Sequence, residues 1–445
     1  ARVGSCAISG QSLGVVPIDG HGNLLREYTP IWSDARADRQ AATFFGQIDE
    51  TAWYSETGNG FPPPLYSVFK IMWYRDNEPE MFKSARHILG TKDYINYLLT
   101  GEITTDHSYA SGSGVYDLVR GCYDDGFLRA AGVPRGLLAE PVRSSEIIGT
   151  LTPAAAKQLG LHTGVQVAAG GVDNSCMALG ARNTKNGRVY NSLGSSSWIA
   201  VCSDAPVVDA AMRPFVFAHV VPGLFTSAYS IFAAGSSFRW IRDTMCRDLV
   251  ERAEREGADV YELMTEEAQA SPPGANGLLF NPNLAGGTGL DPDPRVRGAF
   301  AGLDLRHSRG DLIRAAMEGI AMGLRGALDA LESRANIEKE MLVVGGGSAS
   351  PLWRQILSDV YDRTILKTDV DQDAAALGAA ALAAVGTGTW VSFERIDELH
   401  RIEDRNTSDP GRVKLYEALL PLYQELNRQQ SDLAKRLSRT EEETE

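Results

Sequence analysis

A chain of 445 residues is long for one ordinary core and predicts two domains or one elaborated one. Its hydrophobic content of 43% and charged content of 22% are those of a globular protein, and no apolar run approaches a membrane span. The formal net charge of −14 repels phosphate backbones, which argues against nucleic acid as a partner and fits a cytoplasmic protein with a locally enclosed ligand.

In chain order, "VGSCAIS" and "GVVPID" read as two strands, the second closed by the turn "DGHGN". A helical period runs through "PPLYSVFKIMWYRDNEPEMF" and continues through "HILGTKDYINYLLTGE" until Gly101 ends it. Residues 134–141 form a connector, "PAAAKQLGL" is a short helix, and "GVQVAAG" is a strand. That strand runs into Gly170-Gly171-Val172-Asp173 and then into a small-residue helical pattern. A second half begins near Gly187, where "GRVYNSLGSSSWIAVCS" gives two β-rich runs about a Gly-Ser turn. Then come the long helix "RGDLIRAAMEGIAMGLRGALDALESR", the strand "MLVVGGG", and a helix from Pro351 to about Asp362. The Ala-rich "DQDAAALGAAALAAVG" is a helix able to pack closely, and the amphipathic tail frays into charge. Strands and helices that alternate, with glycine turns after strands, predict an α/β fold in two lobes.

Cys6, Cys122, Cys176, Cys202 and Cys246 are scattered, with no C-x-x-C pair, and the seven histidines are dispersed. Reduced thiols are therefore expected, with neither a disulfide framework nor a zinc site. No secretory signal opens the sequence.

Three glycine turns are candidates for chemistry. "SLGSSSW" (Ser192 to Trp198) is either a plain hairpin turn or a nest of backbone N–H groups suited to phosphate oxygens. "VVGGGSASPLWRQIL" is read as a strand, three glycines and a helix N-terminus, open to close approach by an anionic ligand. It is not G-x-G-x-x-G, and the chain holds no Walker A sequence. At the third turn, Asp173 either favours its helix N-terminus, worth about 0.5–2 kcal/mol, or accepts a proton from a substrate hydroxyl. "GQSLG" matches the G-x-S-x-G nucleophile elbow with Gly10, Ser12 and Gly14. That motif needs a helix directly after the serine, and a strand follows here, so a serine hydrolase is the weakest reading.

Together these segments resemble the FGGY family of carbohydrate kinases, within the actin/hexokinase-like ATPases. The resemblance is carried by six blocks in order: "SGQSLGVVPIDGHGNLLREYTPIWSDARA", "KDYINYLLTGEITTDHSYASGSGVYDL", "GGVDNSCMALGA", "SLGSSS", "MLVVGGGSASPLWRQILSDV" and "DQDAAALGAAALA". It implies two actin/hexokinase-like (ribonuclease H-like) domains around a central cleft, with residues 1–184 binding sugar and residues 185–445 binding ATP. It makes Asp173 the catalytic base and puts Gln11 and Ser12 in the sugar-contact stretch. Lys92, Asp93, Asp106 and Asn174 fall in blocks at or near that pocket. Gly194, Ser195 and Ser196 would meet the ATP phosphates, and Gly345, Gly346, Gly347 and Ser348 the rest of the nucleotide. Mg²⁺ is expected to arrive on ATP, with Asp173 as the one protein carboxylate considered for it. The partners implied are a small sugar and ATP, and the assembly considered is a homodimer.

Three features depart from the family pattern. The usual D-x-G-T strand–turn–strand does not precede "SGQ", which predicts an open sheet edge in the first lobe and little kinase activity. Ser12-Leu13 replace the Met-His common in xylulose kinases, and "AGGTGLDPDPRVRG" lacks the arginine of the family's GER-P stretch, with Arg295 or Arg297 as substitutes. The expected activity is ATP-dependent phosphorylation of a pentulose or related polyol, best D-xylulose to xylulose 5-phosphate. The alternative is a truncated, kinase-derived protein that binds nucleotide or sugar without turnover.

Overall fold

The computed structural model describes residues 3–442. The chain forms two compact units: unit 1 is Ala1–Asn186, Cys202–Ser227 and Asp373–His400, and unit 2 is Gly187–Val201, Ala228–Gln372 and Arg401–Glu445. The expected division at 184/185 lies beside the first crossing between units. Residues 202–227 and 373–400 return to unit 1, which a single linear boundary does not express.

Unit 1 holds a three-stranded sheet of β1 (Ser5–Gly10), β2 (Ile147–Thr150) and β3 (Gln166–Val172), in the order β1–β3–β2. β1 runs parallel to β3 and, among the described residues, forms an edge of the sheet. The β1–β3 register shifts between Ala7 and Ser9. Opposite the shift Gly170 has φ +72°, and a Cβ there would lie 2.1 Å from the Ile8 carbonyl oxygen, so glycine is required. Beside the sheet an aromatic-rich core gathers Phe44, Trp53, Tyr54, Tyr66 and Phe69. Its polar tips are satisfied, with the Trp53 indole N–H donating to the Gly114 carbonyl at 2.7 Å.

The long helix expected across residues 63–101 is broken. One helix, Ser67–Asn77, stops before Pro79, because the residue preceding proline is disfavoured in helical conformation; a short helix, Pro79–Ser84, then follows. His87–Leu89 is a strand, antiparallel to Val16–Ile18, where the helical pattern had been expected to continue. Helix α1 (Thr91–Thr100) then begins, and Gly101 ends it with φ +85°. Helix α2 (Asp173–Gly180) follows β3 directly and packs on the Ala-rich helix Ala374–Gly386. A Cβ on Gly378 would lie 1.9 Å from the Cys176 carbonyl oxygen, so the two helix backbones touch.

Unit 2 is organised on β4 (Val189–Leu193), β5 (Ser197–Ser203), β6 (Glu340–Val344), β7 (Thr364–Thr368) and β8 (Ile402–Asn406), adjacent in the order β5–β4–β6–β7–β8. β4 and β5 are the expected hairpin, with Leu193 opposite Ser197. β4, β6 and β7 are parallel, so β6 and β7 need a crossover, which the helix Pro351–Tyr361 supplies. The long helix Arg309–Glu332 starts at Ser308 with a reciprocal capping box to Asp311 and is buried over most of its length. The tail, expected to fray, is one helix over Pro410–Glu442. All five cysteines are free thiols.

Candidate active site

Asp173 is the first residue of α2. The cap position belongs to Val172 and no side chain caps this end, so Asp173 is not an N-cap, although its charge still suits the helix start. Its carboxylate accepts a hydrogen bond from the Asn174 backbone N–H at 2.8 Å and is open to solvent. Protein crowding its other sides desolvates the carboxyl and raises its pKa, against the pull of the Asn174 and Asp173 backbone N–H groups. An accessible carboxylate with a raised pKa is suited to taking a proton from a bound hydroxyl. Asn174 is half-buried, and its side-chain oxygen accepts from the Ser175 hydroxyl at 3.2 Å.

Lys92, Asp93 and Asp106 lie together, but below the surface. Their side chains have no solvent exposure; Lys92 Nζ pairs with both carboxylates and reaches Asp106 at 2.9 Å. These three residues, expected in a block near the sugar pocket, pair with one another beneath the surface. Burial would strip the Lys92 proton, but the carboxylates of Asp106 and Asp93 outweigh it and hold the ammonium charged, above its ordinary pKa. Burial raises the Asp93 pKa despite Lys92. The trio grips the strand that delivers Asp173. Lys92 Nζ and the Asn96 side-chain amide donate to the Ala169 carbonyl at 3.3 and 2.8 Å. The Val172 N–H donates to Ser108 Oγ at 3.0 Å, and the Ser108 hydroxyl donates to Asp106. Nothing in the sequence marks Ser108 beyond its place in "TDHSYAS", so its link to β3 is visible only in three dimensions.

Gln11 and Ser12 are half-buried in the turn that follows β1. No helix begins at Ser12, because the next regular element is the strand Val16–Ile18; the elbow that a serine hydrolase needs is not formed.

In unit 2, the hairpin turn Gly194–Ser196 is stitched to the start of helix α3 (Gly235–Met245). The backbone N–H groups of Gly235 and Ser236 donate to the Gly194 and Ser195 carbonyls at 3.0 and 2.9 Å. Ser195 and Ser196 stay exposed, and the Arg239 guanidinium donates to Ser195 Oγ at 2.8 Å. That cation beside the turn is a residue the sequence did not single out, because it lies 44 positions away.

The second glycine turn differs from its expected form. Between β6 and helix α4 (Pro351–Tyr361) lies a 3-10 turn, Gly346–Ala349, so the helix N-terminus is not at the glycines. Pro351 fixes the first helical position, and Ser350 caps it by accepting from the Trp353 N–H at 3.3 Å. Gly345 has φ +91°, and a Cβ there would meet the Leu193 carbonyl oxygen at 2.9 Å. The turn is held by a carboxylate that the sequence left unassigned: Asp371 Oδ1 accepts from the Gly345 N–H and the Ser348 hydroxyl, both at 3.0 Å. Gly346 is exposed, while Ser348 is buried. Arg295 pairs with Asp293 at 2.9 Å and Arg297 donates to the Arg295 carbonyl at 2.8 Å, so both arginines are engaged within their own loop.

Among the described residues no group of three His, Cys, Asp or Glu could hold a metal, and no helix is long and apolar enough to cross a membrane.

Residues 2–180 match the N-terminal domain of the FGGY family of carbohydrate kinases, and residues 189–387 match its C-terminal domain. The chain is 30% identical over 434 residues to a gluconokinase of Bacillus subtilis, covering 96% of this chain and 83% of that protein. It is 29% identical over 430 residues to a xylulose kinase of the same organism, again covering 96% and 83%. Among solved structures, a xylulose kinase from Rhodospirillum rubrum superposes with a TM-score of 0.88 at 28% identity, covering 98% of this chain and 86% of that one.

Proposed function

The chain belongs to the FGGY family of carbohydrate kinases, and from that premise we propose that this sugar kinase converts D-xylulose and ATP to xylulose 5-phosphate and ADP. The observation that supports phosphoryl transfer to a hydroxyl is Asp173, a solvent-open carboxylate with raised pKa just after a strand braced by a buried charge network, and the similarity to xylulose kinases supports the choice of sugar. In this role Asp173 accepts the proton of the sugar hydroxyl while that oxygen bonds to the γ-phosphorus and ADP departs. Phosphoryl transfer has a loose transition state, so placing the hydroxyl matters more than base strength. Gln11, Ser12 and Asn174 are assigned to the sugar. Lys92, Asp93 and Asp106 are assigned to holding β3 and touch no ligand. The Gly194–Ser196 turn, with Arg239 beside it, is assigned to phosphate oxygens, and Gly345–Ser348 to the rest of the nucleotide.

The residues fit Mg²⁺ that arrives on ATP, because they offer one open carboxylate and backbone N–H groups, with no three-ligand metal cage among the described residues. When bound, Mg²⁺ supplies neutralisation of the phosphate charge.

The similarity to a gluconokinase favours D-gluconate as a second reading. An ADP-release assay over D-xylulose, D-ribulose, L-ribulose, glycerol and D-gluconate separates them. The highest kcat/KM is expected with D-xylulose, and a tenfold preference for D-gluconate would replace the assignment. Asp371→Ala is expected to raise the KM for ATP about tenfold, or ~1.4 kcal/mol, with the sugar KM unchanged. An unaltered ATP KM would remove the Gly345 turn from nucleotide binding.

A further inference from the structure

Lys70 is a lone cation inside the apolar helical run "YSVFKIMWY", and its side chain is fully buried. Among the described residues it makes no ion pair. Instead its Nζ donates to three backbone carbonyls: Leu13 at 3.2 Å, Ile31 at 2.8 Å and Trp32 at 3.2 Å. Three ammonium protons meet three acceptors. Ile31 and Trp32 belong to a loop whose residues are exposed, while the ammonium that reaches them is buried.

What the ammonium joins is informative. Leu13 has φ +63°, a left-handed conformation that a leucine adopts only when its surroundings impose it, and it is buried to 1% exposure. The carbonyls around it are also held by side chains from other segments. Gln11 accepts from Thr91 Oγ1 at 3.4 Å, Gly14 from the Tyr109 hydroxyl, and Val15 from the Tyr74 hydroxyl at 3.1 Å. The backbone of the turn is thus fixed from several sides, while the side chains of Gln11 and Ser12 remain half open.

We propose that Lys70 is a positioning residue for sugar recognition: its buried ammonium locks the Gln11–Gly14 turn to the Ile31–Trp32 loop and holds Gln11 and Ser12 in their sugar-facing conformation. The inference rests on the assignment of Gln11 and Ser12 to the sugar. Removing the charge frees the Leu13 carbonyl, lets the strained residue relax, and weakens sugar binding with little effect on ATP. Burial lowers the Lys70 pKa to about 8, Asp34 opposes that shift, and Arg36 adds to it. Asp34 is itself tied to Arg36 by an ion pair at 2.7 Å. The phenols of Tyr74 and Tyr109, which face the same turn, are pushed up by burial and stay neutral across this range. The lock is therefore mostly charged at neutral pH and loses its charge progressively as pH rises through about 8.

The test compares wild type with Lys70→Met, using D-xylulose as the sugar. The variant is expected to raise the sugar KM about tenfold, with the ATP KM within twofold and kcat within threefold. In wild type the sugar KM is expected to climb between pH 7 and pH 9, and in Lys70→Met to stay flat at the higher value. Amide exchange of the peptide spanning residues 10–16, measured without sugar, is expected to accelerate at least tenfold in the variant and not to change around residues 345–350. An unchanged sugar KM, a parallel rise in both KM values, or an alkaline rise that persists in Lys70→Met would overturn the proposal. Should Lys70→Met not fold, wild-type exchange of residues 10–16, corrected for intrinsic rate, decides by accelerating from pH 7 to pH 9 or failing to do so. The exchange arm needs no substrate, so a wrong sugar assignment and a wrong role for Lys70 give different results.

Discussion

Replacing Asp173 with asparagine is expected to lower kcat by about 10²–10⁴ while the KM values for sugar and ATP stay within about twofold. Asparagine keeps the shape of the side chain and its place at the start of α2, but it cannot take a proton. The Asn174 N–H that now donates to the carboxylate at 2.8 Å can still find an oxygen acceptor, so the helix start should survive. Steady-state kinetics on the purified variant, with circular dichroism to show an intact fold, reads the effect. A variant retaining more than a tenth of wild-type kcat would take Asp173 out of the mechanism. The pH profile supplies a second reading. Because desolvation raises the Asp173 pKa, the acid limb of kcat/KM should lie above the ordinary carboxylate range, with activity lost as pH falls through it. In Asp173→Asn that limb should vanish from the residual activity.

Lys92→Met should be the most damaging change to stability. It leaves two buried carboxylates without their counter-charge, and removing one partner of a buried ion pair costs about 3–5 kcal/mol. For a unit of this size that corresponds to a fall in Tm of about 6–20 °C by differential scanning calorimetry. The charge explanation can be separated from lost van der Waals contact. Lys92→Met combined with Asp93→Asn and Asp106→Asn removes all three charges together, and should recover part of the loss. If the triple variant is no more stable than Lys92→Met, uncompensated charge is not the source. Turnover should also fall in Lys92→Met at temperatures where it remains folded, because the ammonium grips the Ala169 carbonyl four residues before Asp173.

The two results would probe different links of one chain. In the proposed mechanism Asp173 acts on the hydroxyl, while Lys92, Asp106 and Ser108 hold the strand that leads to it. The last position of β3 is the place where the links join, since the Val172 N–H is bound by Ser108 and the next residue is the carboxylate. A charged cluster buried behind a strand stabilises the fold weakly for the desolvation it requires, but it fixes one arrangement of the backbone.

The linear sequence determined a good deal about this protein. Glycine spacing after strands was enough to indicate two α/β lobes, since such signals are local and depend on backbone rules, and the resemblance of six ordered blocks to the FGGY family implied a sugar kinase. Local signals failed where a distant residue overrode them. The helical period across 63–101 did not anticipate that His87–Leu89 would find a strand partner in Val16–Ile18, a pairing across about 70 residues. It also gave no warning that Pro79 splits the first helix. A run of glycines beside "SPLWRQIL" suggested a helix start at the glycines, and Pro351 with its Ser350 cap moved that start downstream.

Only the tertiary structure decided the roles of the charged residues. In sequence, Lys92, Asp93 and Asp106 look like polar residues near a pocket; in the fold one ammonium is shared by two carboxylates with no exposed side-chain surface. Lys70 reads as a break in an apolar helix until its ammonium is seen against the Leu13, Ile31 and Trp32 carbonyls. Asp371 reads as one acid in "DQD" until the Gly345 N–H is found on it. The physical reason is common to all three. Periodicity and turn chemistry report which way a backbone bends, but the free energy of a buried charge depends on which groups the fold brings within 3 Å of it, and those groups come from separate parts of the chain.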